Sequence, residues 1–125
     1  DMTYPCAVRI TPTSFLSISG TDIREFDAAI AGPTSSEGWR EAGRWPALKT
    51  IRTNHLGCAK IGQKVIIAGG YNGGGLSSTE VLDLVNRRIT SGGEMATPRW
   101  WFHIAIIISR GEEKMFALAG YDGST

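Results

Sequence analysis

The feature that most constrains this chain is a recurrence. Similar apolar runs close on glycine three times, at Ser17-Ile18-Ser19-Gly20, Ile67-Ala68-Gly69-Gly70 and Leu118-Ala119-Gly120, with a constant spacing of 50 residues between the closing glycines. A second marker recurs out of phase with the first, as Arg52-Thr53-Asn54-His55 and Arg99-Trp100-Trp101-Phe102-His103. Self-similarity at such a period means one supersecondary unit used repeatedly, each copy burying a face of the next.

Within each period the apolar residues fall into short runs separated by turn residues, which reads as strands. The expected strands are 6–10, 15–19, 23–27 and 38–42, then 56–61, 65–68, 79–84 and 88–91, then 104–109 and 115–119. Turn chemistry lies between them at 61–64, 72–75 and 109–113. Four short strands per 50 residues is the pattern of a propeller blade, and the expected class is all-β. Two full units plus the first half of a third divide the chain at 1–48, 49–98 and 99–125.

The order of residues resembles the kelch repeat. The matching stretch runs from Arg52 and His55 through Lys64-Val65-Ile66-Ile67-Ala68-Gly69-Gly70. It continues through Leu76-Ser77-Ser78-Thr79-Glu80-Val81-Leu82-Asp83 to Met95 and Arg99. The repeats diverge from the family pattern. Only one keeps both glycines, Arg24 stands in a place usually held by glutamate, Ile89 replaces an expected tryptophan, and Trp39 retains that tryptophan in the first unit, where it would cover the space between sheets. The resemblance implies about two and a half four-stranded blades of a β-propeller. It also implies a protein–protein interaction scaffold whose loops on one face bind a protein or peptide. By position it nominates Arg52, Tyr71, Asn72 and Arg99, with Tyr121 and Asp122 as third-repeat equivalents and Thr21 and Asp22 as weaker ones. An equally available use of the two arginines is to bond backbone carbonyls of the turns they cross. Propellers remove exposed sheet faces by closing with four to eight blades. The expectation is therefore that other propeller segments, or copies of the chain itself, cover its open faces. The alternative function is part of a kelch-type sugar-oxidising or isomerising enzyme with its active-site residues mostly outside this chain.

Composition narrows the choices further. Hydrophobic residues make up 42% and charged residues 20% of 125, an ordinary globular balance. A net charge of +1 supplies no field for nucleic acid or an anionic membrane. Asn72-Gly73-Gly74-Gly75 lacks the following Gly-Lys-Ser/Thr of a phosphate loop and reads as a turn. The two histidines, His55 and His103, take matching repeat positions, which points to structure and not to a metal or a general base. No cofactor motif is present. Arg99-Trp100-Trp101-Phe102 reads as inter-unit packing or a partner anchor, and Arg110 to Lys114 as a solvated hairpin tip. Cys6 and Cys58 also match in position, each before an alanine. They are expected to be small buried hydrophobes, since a disulfide needs Cα atoms within about 7 Å and adjacent blades usually lie farther apart.

Overall fold

The computed structural model describes residues 4–30, 35–100 and 103–118. Among these residues nine strands form three antiparallel sheets in chain order, with only two short 3-10 turns, Ala28–Ile30 and Ser35–Gly38. The first sheet holds β1 (Cys6–Thr11), β2 (Ser14–Ser19) and β3 (Asp22–Asp27). The second holds β4 (Gly57–Ile61), β5 (Lys64–Ala68), β6 (Ser78–Asp83) and β7 (Arg88–Glu94). The third is the hairpin of β8 (His103–Ser109) and β9 (Glu112–Leu118). Within each sheet neighbouring strands are consecutive in sequence, and the first strands of the sheets lie near one another, β1 near β4 and β4 near β8. The all-β expectation holds.

Period-two alternation decides which face of each sheet is buried. In the first sheet Ile18 pairs with Cys6 and Ile23, and Leu16 with Val8 and Glu25, so these residues share one face. In the second, Ile67 pairs with Cys58 and Glu80, and Val65 with Lys60 and Leu82. Leu16, Ile18, Ile23, Val65, Ile67 and Leu82 meet in a single core, joined by Trp45, Leu48 and Leu56 from the connecting segment. The opposite face of the first sheet carries Phe15 and Phe26, with Trp39 edge-on to both at ring-centroid distances of 6.0 and 5.3 Å. Trp39 therefore packs on the outer face of its own sheet and keeps 39% of its surface exposed.

Two expectations need correction. The segment 38–42 is not a strand; its main chain pairs with the sheet in one bridge, Trp39 opposite Phe26, and Arg40 adds an ion pair to Asp27 at 3.1 Å. The reason lies just downstream. The chain turns at Gly43 (φ 85°) so that Trp45 and Leu48 reach the core, and that gain in burial competes with extension of the ladder. The cysteines are not separate hydrophobes either: Cys6 and Cys58 form a disulfide, with Cα atoms 6.1 Å apart, because β1 and β4 run close together. With 52 residues of sequence separation, the loop-closure model gives such a link about 4 kcal/mol of stabilisation.

Turns follow the expected chemistry. Arg110 and Gly111 both have positive φ (53° and 78°) between β8 and β9, and Arg110, Gly111 and Glu112 are exposed, as a hairpin tip should be. Between β6 and β7 the Asp83 carboxylate accepts the Val85 amide at 2.9 Å and the Asn86 amide at 3.1 Å, and also the Asn86 side-chain amide. The bond from the Asn86 amide is the main reason that the Asp83 carboxyl lies below its ordinary value of 3.8, with the Asn86 side chain and the Val85 amide adding to it. A depressed folded pKa means that the contribution is present above the unfolded value and lost as pH falls through the folded one. In an acid titration followed by NMR, the Asn86 amide should report a midpoint below 3.8. A midpoint above that value would remove the turn's carboxylate cap. Core burial makes a second prediction. Leu16→Ala should cost about 2–5 kcal/mol in denaturant unfolding, whereas Val85→Ala, at a position 71% exposed, should change stability by less than about 0.5 kcal/mol.

Candidate functional site

Among the described nominees, Arg52, Tyr71 and Arg99 lie where the end of one sheet's second strand meets the segment that leads to the next. At the first such joint the Gly20 amide donates to the Arg52 carbonyl at 2.7 Å and the Arg52 amide returns a bond to the Gly20 carbonyl at 2.9 Å. Thr53 and Tyr71 exchange main-chain bonds of 3.1 and 3.0 Å beside it. At the second joint the Gly70 amide donates to the Arg99 carbonyl at 2.8 Å, and the Arg99 amide to the Leu76 carbonyl at 3.1 Å. Both closing glycines among the described residues, Gly20 and Gly70, thus meet the arginine 32 or 29 residues on, Arg52 and Arg99.

Gly70 shows why glycine stands at this joint. Its φ is +92°, and a Cβ there would lie 3.0 Å from the Thr53 carbonyl oxygen and 3.1 Å from the Arg52 Cβ. Both the conformation and the space exclude a side chain.

Arg52, expected from the resemblance to line a binding face, is instead completely buried. Its Nε donates to Glu80 Oε2 at 2.9 Å, and Nη1 donates to the carbonyls of Gly69 and Ser78 at 2.9 and 2.8 Å. Nη2 reaches Ser78 Oγ at 2.9 Å. The other carboxylate oxygen, Glu80 Oε1, accepts the Lys49 amide at 2.7 Å. The backbone-bonding use of Arg52 is the one realised, and the side chain offers no surface to a partner.

The remaining nominees separate. Tyr71 is half-buried, its ring edge-on to Trp100 at 5.2 Å, and Asn72 is exposed at the start of the glycine turn, where its amide donates to the Gly74 carbonyl at 3.0 Å. Gly75 passes so close to Trp100 that a Cβ would enter the indole ring. Arg99 is half-buried at the second joint. Tyr121 and Asp122 lie outside the described residues, as do Trp101 and Phe102. Among the described residues the loop surface of the site is therefore the half-buried Tyr71 and the exposed Asn72, beside Trp100. His55 stacks on Tyr4 at 4.6 Å, and its amide donates to the Tyr4 carbonyl at 3.1 Å, a packing arrangement in keeping with its structural reading.

Sequence reasoning missed Glu25, Trp45 and Arg44. Glu25 Oε1 accepts both Trp45 Nε1 and Arg44 Nε at 2.9 Å, and the Arg87 guanidinium sits 5.0 Å over the Trp45 ring. A tryptophan followed by proline inside a polar connection was the available signal, since an aromatic of that size in a loop needs somewhere to be buried. Arg24 donates from Nη2 to the Arg40 carbonyl at 3.1 Å and lies 5.9 Å over the Trp39 ring.

No protein-family model matches the chain, and no curated protein matches it in sequence.

The buried pair gives a direct test. Arg52→Met leaves the Glu80 carboxylate buried without its cation, and should cost about 3–5 kcal/mol in chemical denaturation. Arg52→Met combined with Glu80→Leu should recover a large part of that loss, because no isolated charge remains. A single variant as stable as the parent would show that the pair does not hold the joint.

Proposed function

We propose that this chain is part of a kelch-type β-propeller that binds a protein or peptide partner through loops at the glycine-closed strand ends, with Tyr71 and Asn72 as the contact residues in the described region. The observation that carries the reading is the repeated joint, in which Gly20 bonds to Arg52 and Gly70 to Arg99. Together with first strands that lie side by side from sheet to sheet, this repeat supports a blade-by-blade arrangement. Such an arrangement gives a stiff platform, and residues on loops held by a stiff platform are well placed for recognition.

On this reading the outer face of the first sheet, with Phe15, Phe26 and Trp39, is covered in the working assembly by another propeller segment or a second copy of the chain. Covering removes exposed aromatic surface from water, the same gain that packs the first sheet on the second.

The test begins with chemical cross-linking in the cells that make the protein, followed by calorimetric titration of the purified candidate partner. Tyr71→Ser with Asn72→Ala should weaken binding about tenfold or more while the melting temperature stays within a few degrees of the parent. Unchanged affinity in the double variant would overturn the assignment of these residues.

A further inference from the structure

We infer that the Cys6–Cys58 disulfide is a reducible latch on the seam between the first strands of the first two sheets. Besides the disulfide, β1 is held by its ladder with β2 and by side chains that are only partly buried. Along β1 half-buried residues alternate with exposed ones and none is fully buried, whereas β2 alternates fully buried residues with half-buried ones. Leu16, Ile18 and Ile23 fix β2 and β3 in the core, and the Gly20–Arg52 bonds tie the end of β2 to the second unit. β1 meets the second unit through the partly buried Val8 and Ile10 packed against the core and, at its N-terminal end, through the disulfide, the Tyr4–His55 stack and the His55-to-Tyr4 main-chain bond. The segment before β4 that this end meets contains two consecutive non-glycine residues with positive φ, Asn54 (56°) and His55 (57°), a conformation uncommon for side-chain-bearing residues.

Both cysteines are half-buried, so a dissolved thiol can reach the bond. Reduction by a dithiol breaks the sulfur–sulfur bond. The two electrons and two protons come from the reductant, whose thiols become a disulfide, and the protein is left with two thiols. Cys6 and Cys58 pack against the margin of the core that anchors β2 and β3 and are not among its fully buried residues, so that core persists while β1 loses its covalent tie. The seam between β4 and β8 has no equivalent, because the chain has only two cysteines. The latch therefore acts on one seam alone. A disulfide of this kind belongs to a protein that matures in an oxidising environment and meets reductant as a change of condition.

Hydrogen exchange read by mass spectrometry tests this with dithiothreitol as the reductant and with a Cys6→Ser, Cys58→Ser double variant. The expected result is exchange at least about tenfold faster across β1 and residues 4–5 after reduction, with β5 and β6 unchanged. The double variant should show the same fast exchange with or without reductant. Equal protection of β1 in both redox states would overturn the latch, as would a uniform rise across both sheets, which would make the bond a global staple. It would also be overturned if both cysteines proved alkylatable in protein taken from its native source without reductant.

Discussion

The arrangement depends on one buried charge pair. Arg52 leaves water completely, and a guanidinium in that position is stable only when its donors and its charge are both met. Glu80 meets the charge, while Gly69 and Ser78 take the remaining donors in use. Because those partners lie at the end of β5 and the start of β6, and the Arg52 main chain bonds Gly20, a single residue joins two sheets and closes the second one. Glu80 extends the link by holding the Lys49 amide, so the connection between sheets is pinned at two points.

Glu25 repeats this logic from the other side. It is buried in β3 and gathers Trp45 and Arg44, drawing the connection into the space between the sheets. Two buried carboxylates thus convert a polar-looking linker into part of the core. The same capture explains the missing fourth strand of the first sheet. Once Trp45 and Leu48 are committed inward, the residues before Gly43 are left with one main-chain bridge to Phe26. Main-chain ladder bonds there are given up for buried apolar area.

Much of the fold was legible in advance. The strands of the second unit follow from apolar runs bounded by glycine turns, and their ends fall within a residue or two of expectation except in β7, which continues to Glu94. The candidate site was legible only in part. Position in the repeat placed Arg52, Tyr71 and Arg99 at the joints, yet gave no direction to their side chains. Arg52 turns inward because Glu80 waits there, and that pairing crosses 28 residues of sequence. The disulfide was hidden for the same reason: 52 residues separate its cysteines, and only the closeness of β1 and β4 brings them together.

By itself the sequence determined the period, the all-β class and the places where the chain turns, since these rest on local alternation and on glycines that few other residues can replace. Tertiary structure alone decided which charged residues are buried, which cysteines bond and which of the nominated residues face solvent. Those outcomes depend on distances between segments far apart in the chain, and no local pattern of residues encodes such a distance.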